Sequence, residues 1–347
     1  MSESGDYVPA PHWGSTHDTF AAARATYDDV RKRSYDDAVV NKVSRDDCVP
    51  ESISTESEAP LVIACDVTGS MGEWPAVIFS KLPYLEYEAQ EYLGDDMEIS
   101  FAAIGDSPSG DKYPLQVRQF VKGKELKNEL EKLIHEGGGG GTSEESYDLA
   151  ALYYSRNCDC PEAIHKPIFI FIGDEGIYNS ISESDATTWA RAEKSSKLSP
   201  RTIFEELKKK FNVYVIRKPY NSSTNNRSTE DIRIQNQWIE FLGEDHVVSL
   251  PSADRVVDVI FGILAKETGR IEYFEEELKD RQGKDKDGAK KIDVVLKSLV
   301  TIHKIDKDPS LKKLGGPAKS KSITASKSAS KGSKSKGSVK SKSLLDD

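Results

Sequence analysis

The stretch Asp66-Val-Thr68-Gly-Ser70-Met-Gly72 constrains this chain more than any other. It directly follows a short apolar run, Leu61-Val-Ile-Ala-Cys65, which reads as a buried strand. The strand thus ends in an acid, two hydroxyl residues at alternate positions and two glycines, and Pro75 follows where a helix can begin. This strand-to-loop-to-helix crest carries three hard oxygen donors. Hard oxygens at a helix start suit a small divalent cation such as magnesium or manganese.

Two later segments add to it. Glu136 is followed by five glycines, Gly137 to Gly141, and then Thr142. Further on, Ile168-Phe-Ile-Phe-Ile172 runs into Gly173-Asp174-Glu175-Gly176, a second strand ending in an acid. In an open α/β sheet, sites form outside the carboxyl ends of the parallel strands. Asp66, Thr68, Ser70, Thr142 and Asp174 are expected to converge there. Singly, each has a plainer reading: Asp66 and Ser70 as helix caps, Asp174 as a turn cap, the glycines as a flexible loop. Asp106, Glu175 and Glu73 are further acids near the same crest, with Asp106 read as a supporting or turn residue.

The five residues in this order resemble the von Willebrand factor A domain and its metal-ion-dependent adhesion site. That pattern is Asp-x-Ser-x-Ser on a first loop, Thr on a second and Asp on a third. Here it reads Asp66-x-Thr68-x-Ser70, Thr142 and Asp174, with Thr for Ser at 68 the one departure. The substitution keeps the hydroxyl. The resemblance covers roughly Ala59 to Gly269. It implies a six-stranded sheet with one short antiparallel edge. It also implies that Thr68, Ser70 and Thr142 bind the ion directly, while Asp66 and Asp174 act mostly through waters. The ion then keeps a position open for an Asp or Glu from a protein partner. In some members partner binding moves the closing helix, here Ala253 to Ala265.

Apart from the resemblance, the middle of the chain alternates strands and helices. Strands are expected at Leu61–Cys65, Met97–Ile104, Leu115–Val121 (an edge), Ile168–Ile172, Val213–Ile216 and His246–Leu250. Helices are expected at Pro75–Leu93, Lys124–His135, from Ser146, around Ala186–Ala192, from Pro200 with Ser199 as cap, at Ile232–Leu242 and at Ala253–Ala265. Alternation predicts an α/β fold, doubly wound, with a mainly parallel sheet and helices on both faces. Residues 59–269 form this domain. Residues 1–58 read as a polar, partly disordered N-terminal region with a short helix over Asp18–Lys32 and a linker from Pro50 to Pro60. Residues 270–305 read as a helical extension, either a hairpin packed on the domain or a partly ordered linker. Residues 306–347 read as a disordered tail.

The chain has 347 residues and a net charge of −10, which argues against a protein built around nucleic-acid binding. The charge is uneven. From Lys319 to Asp347 there are eight lysines, ten serines and two acids, so this tail carries +6 and the rest −16. Either it is a solvated tail that adds solubility, or it contacts acidic partners, lipid headgroups or nucleic acid. No apolar run approaches a membrane span and Met1-Ser-Glu-Ser-Gly-Asp6 is not a secretory signal, so a cytoplasmic location is expected. The four cysteines, Cys48, Cys65, Cys158 and Cys160, lack the spacing of a soft-metal site and read as reduced thiols.

These observations point to a cytosolic metal-dependent protein-binding module, an adaptor or scaffold, using magnesium or manganese. An enzyme is the lesser reading. Position 68 is not the second acid of an Asp-x-Asp phosphatase motif, and Gly137 to Thr142 lacks the lysine of a phosphate-binding loop. The alternatives are a metal-dependent phosphohydrolase, suggested by the clustered acids, and a nucleic-acid-associated scaffold that uses the basic tail.

Overall fold

The structure is a computed structural model. It describes residues 43–303 except Glu73, 138–141, 194–197, 221–227, Pro251 and 284–285, and omits the side chains at 80, 82–84, 86 and 87. The expected helix over Asp18–Lys32, most of the glycine run and the Lys/Ser tail lie outside the described residues.

Six strands form the main sheet: β1 (Pro60–Asp66), β2 (Glu98–Ile104), β3 (Leu115–Val117), β4 (Ile168–Gly173), β5 (Asn212–Arg217) and β6 (Val247–Ser249). Their order is β6-β5-β4-β1-β2-β3, and every neighbouring pair is parallel except β2 with β3. This is the expected sheet with its short antiparallel edge. β1 lies at the centre and is buried along its whole length. Its side chains alternate between two cores. Leu61, Ile63 and Cys65 face one, and Val62 and Ala64 face the other. β4 does the same with Ile168, Ile170 and Ile172 against Phe169 and Phe171. Continuous apolar runs are what strands covered on both faces require.

The helices supply those covers. On one face α1 (Trp74–Leu93) packs against α7 (Val256–Glu267). On the other, α3 (Tyr147–Asn157) packs against α5 (Pro200–Lys210), with α6 (Thr229–Leu242) beside them. Two short helices, α2 (Glu125–Glu131) and α4 (Glu183–Thr188), sit in the connections. Ser182 caps α4, accepting from Asp185 N–H at 3.0 Å. Ser199 precedes α5 with Pro200 at its first position, but the Ser199 hydroxyl makes no cap bond.

Two flanking segments belong to the packed body. The stretch from Pro50 to Pro60, expected as a linker, is tied down. Cys48, Val49 and Ile53 are buried in the second core, and Ile53–Ser54 pairs in parallel with Cys158–Asp159. Thr55 Oγ1 donates to Glu98 at 2.6 Å and Ser57 Oγ to Asp96 O at 2.6 Å. Two polar side chains of this stretch, Thr55 and Ser57, are therefore buried and bonded to the fold, while Glu51, Ser52, Ser54, Glu56 and Glu58 are exposed. At the other end α8 (Ile271–Gln282) and α9 (Gly288–Ser298) bury Phe274, Leu278, Val295 and Leu299 in the first core. Leu299 fits over Gly262 of α7, where an added Cβ would lie 2.2 Å from Leu299 Cδ1. Among the described residues no helix is long and apolar enough to cross a membrane. The four cysteines are free thiols, and all but Cys160 are buried.

The register brings the strand ends level. Asp66 pairs with Ile104, Cys65 with Ile172, and Gly173 with Arg217. Everything that follows β1, β2, β4 and β5 therefore leaves from one edge of the sheet.

Candidate functional site

At that edge β1 ends in Asp66, buried completely. Val67 N–H still bonds Ile104 O at 2.9 Å, and the chain then turns through one 3-10 turn, Gly69–Met71. Gly72 closes the turn at φ 56°, a left-handed conformation that favours glycine. The turn folds the two hydroxyls back over the carboxylate. Thr68 donates to Asp66 Oδ1 through its N–H at 2.8 Å and its hydroxyl at 2.7 Å. Ser70 Oγ, exposed at the surface, donates to Asp174 Oδ1 at 2.9 Å across 104 residues of sequence. Thr68 Oγ1 and Ser70 Oγ lie 3.1 Å apart.

Four of the five expected residues thus form one hydrogen-bonded string. The fifth, Thr142, is exposed and engages other groups: Tyr178 OH at 3.0 Å and Glu144 O at 3.2 Å. Tyr178 in turn donates to Asp106 Oδ1 at 2.8 Å. Asp106 stands at its expected place beyond β2 and also accepts a long bond from Ser109 N–H in the following turn.

Several residues of the site gave no signal in the sequence. Tyr147, the first residue of α3, is buried and donates to Asp66 Oδ2 at 2.7 Å. Its hydroxyl end reaches Gly173, where an added Cβ would sit 1.8 Å from that hydroxyl. Trp238 of α6 backs Tyr147 edge-on, with ring centroids 5.1 Å apart, and donates from Nε1 to Glu175 O at 2.9 Å. Lys218, the first residue past β5, donates from Nζ to Asp174 Oδ2 at 3.0 Å and to Ser70 O. Arg217 is fully buried in a pair with Asp231, also fully buried. A charged residue just past a strand is the one cue that could have pointed to Lys218, and it was not read; for Tyr147 there was none.

The electrostatics are those of crowded acids. Burial, then the charge of Asp174, pushes the Asp66 carboxyl up, opposed by its bonds from Thr68 and Tyr147. Burial, then Asp66 and Asp106, pushes Glu145 far up. Burial and Asp174 push Glu175 to about 8. Asp106 Oδ2 and Glu145 Oε2 are buried without a hydrogen-bond partner. Crowded acids in a low-dielectric rim are costly to ionise together, and a cation nearby would favour their ionised forms.

The two hydroxyls make the same point in geometry. Each has one proton. Thr68 Oγ1 is 2.7 Å from Asp66 Oδ1 and Ser70 Oγ is 2.9 Å from Asp174 Oδ1, and across the 3.1 Å between the two hydroxyls either one can be the donor. Two alcohols and two carboxyl groups thus gather oxygen lone pairs at one place. An oxygen-only donor set of this kind has the chemistry a hard cation requires. Among the described residues no group of three or more His, Cys, Asp or Glu is placed to hold a metal ion, so a site here depends on these alcohols.

No family model matches the chain, and no curated protein matches it. Solved structures do. The chain is similar to proximal thread matrix protein 1 from the mussel byssus (crystal form 2), with a TM-score of 0.41 and 10% identity. That match covers 61% of this chain and 48% of that one. It is also similar to the pilus adhesin SpaC from Lactobacillus rhamnosus GG, with a TM-score of 0.42 and 12% identity over 66% of this chain and 31% of that one. For the open conformation of SpaC the TM-score is 0.41, at 12% identity over 66% and 30%. The chain thus spans less than half the length of each of these proteins.

Proposed function

We propose that the chain is a metal-dependent protein-binding module of the von Willebrand factor A kind, acting as a cytoplasmic adaptor or scaffold. Asp66, Thr68, Ser70 and Asp174 hold a magnesium or manganese ion, and Thr142 joins them on leaving Tyr178. The ion supplies an open coordination position for an Asp or Glu side chain of the partner protein. The observation that carries the reading is the pair of hydroxyl oxygens, Thr68 and Ser70, 3.1 Å apart, each also within 2.9 Å of a buried carboxylate, Asp66 or Asp174.

The side chains have separate tasks in this reading. Asp66 and Asp174 accept the hydroxyl protons and so aim the lone pairs outward. Tyr147 and Thr68 N–H fix the Asp66 carboxylate from behind, through its two oxygens. The hydroxyls bring no charge of their own, so the bound ion keeps a strong attraction for an outside carboxylate. That favours binding without turnover. Of the two acids tied to the hydroxyls, Asp66 is closed in by Thr68 and Tyr147, and Asp174 is held by Ser70 and Lys218.

The test is retention of the full chain on immobilised peptides carrying a central Asp or Glu, in magnesium and in chelator. Ser70→Ala and Thr142→Ala serve as site variants. Retention in magnesium, lost in chelator and in both variants, is expected. Retention indifferent to all three refutes the reading.

A further inference from the structure

Lys218 occupies a position that the five-residue pattern does not account for. Its backbone N–H donates to Gly173 O at 2.8 Å, extending the β4–β5 pairing by one rung. Its side chain therefore starts beside Asp174. The ammonium bonds Asp174 Oδ2 at 3.0 Å and also Ser70 O. Ser70 already reaches Asp174 through its hydroxyl, at Oδ1. The result is a closed ring: Ser70 hydroxyl, Asp174 carboxylate, Lys218 ammonium, Ser70 carbonyl. It joins the loop after β1 to the loop after β4.

The ammonium also fills an electrostatic role. Asp66, Asp174 and Glu175 are all buried at this rim. The neighbouring base, Arg217, is committed to Asp231. Lys218, with its side chain 20% exposed, is the cation that pairs with the Asp174 carboxylate among the described residues. A divalent ion bound between Ser70 and Asp174 meets this positive charge at close range.

We propose that Lys218 is a tethered cation. It holds the Asp174 side of the rim together in the ion-free protein and competes with the divalent ion for that side. The inference rests on the metal reading above and adds its regulation. An ion must displace an ammonium that is already in place, so binding is weaker and more readily reversed than the donor set alone gives. A monovalent ion brings no more charge than the ammonium it displaces, so the site rejects it.

The experiment uses the full chain, with manganese as the probe. Affinity is measured by calorimetry and thermal stability is measured with and without the ion, for the wild type, Lys218→Met, Lys218→Gln and Lys218→Arg. Lys218→Met and Lys218→Gln are expected to bind manganese about tenfold more tightly, the scale of removing one like charge beside an ion at a partly exposed rim. Both melt lower than wild type without the ion and gain more from it, as linkage requires. Lys218→Arg, which keeps the charge, stays near wild type. Unchanged or weaker manganese binding in both neutral variants overturns the tether while leaving the metal reading intact. Absence of manganese binding in the wild type and in all variants overturns both.

Discussion

Replacing Gly173 with alanine tests how the strand end and the site are built into each other. Gly173 is the last residue of β4, in extended backbone, and its Cα faces the Tyr147 ring. An added Cβ falls 1.8 Å from Tyr147 Oη, 2.8 Å from Cζ and 3.0 Å from Cε1. These atoms belong to a ring clamped by Trp238 and Phe171, with centroids 5.1 and 5.9 Å away. The ring has to move. Overpacking of this kind costs about 1–3 kcal/mol. Moving the ring also breaks the 2.7 Å bond to the buried Asp66 carboxylate, which adds about 1–3 kcal/mol. Gly173→Ala is therefore expected to lose about 3 kcal/mol or more in urea unfolding, with an unchanged m-value. Tyr147→Phe removes the closest clashing atom and the same hydrogen bond. The two substitutions should therefore be non-additive: Gly173→Ala costs at least ~1 kcal/mol less in the Tyr147→Phe background. A Gly173→Ala protein within about 0.5 kcal/mol of wild type, or an additive cycle, refutes the argument that Tyr147 holds Asp66 through this contact.

Two further outcomes can be checked. Asp231→Asn leaves Arg217 buried with its partner's charge removed, and an uncompensated charge of this kind costs about 3–5 kcal/mol, read by denaturant unfolding. Glu277 on α8 has its pKa raised by burial, partly offset by Arg281 and reinforced by Glu88, from an ordinary 4.5 to about 7. The folded state then binds the Glu277 proton more tightly than the unfolded state, so the contribution is fully present below about 4.5 and is lost as pH rises through about 7. Glu277→Gln should remove this loss, and its melting temperature relative to wild type should rise steadily between pH 4.5 and 8; a pH-independent difference counts against it.

The sheet was legible because β1 and β4 are buried on both sides, so their apolar runs are unbroken, and an acid marks the end of each, Asp66 as the last residue of β1 and Asp174 just past β4. The edge strand was less so. The expected Leu115–Val121 strand stops at Val117, and pairing resumes only as an isolated bridge from Val121 to Ile99. The helix expected over Lys124–His135 ends at Glu131, although Leu133 and Ile134 remain buried. There the Gln116 amide takes over both backbone groups of Ile134, at 2.8 and 2.7 Å. A side chain 18 residues away replaces the helix's own bonds, and no periodicity reveals that. The segment from Pro50 to Pro60 looked like a linker because its polar residues outnumber its apolar ones, yet two of them, Thr55 and Ser57, are buried and bond to Glu98 and Asp96. At the site, Asp66, Thr68, Ser70 and Asp174 were legible as strand-end residues. Tyr147 and Lys218 were not, because what places them is a helix start and a strand end that become neighbours only in three dimensions.

The notch at Gly262 has a mechanical consequence. Leu299 sits where no side chain of α7 could, and each residue of a helix rises about 1.5 Å. A screw motion of α7 by one residue, a turn of about 100° with a rise of about 1.5 Å, drives Phe261 or Ile263 toward the place Leu299 fills. The closing helix is therefore a keyed shaft. It turns only if Leu299, the key at the end of α9, lifts or rides along, so α9 holds α7 in register.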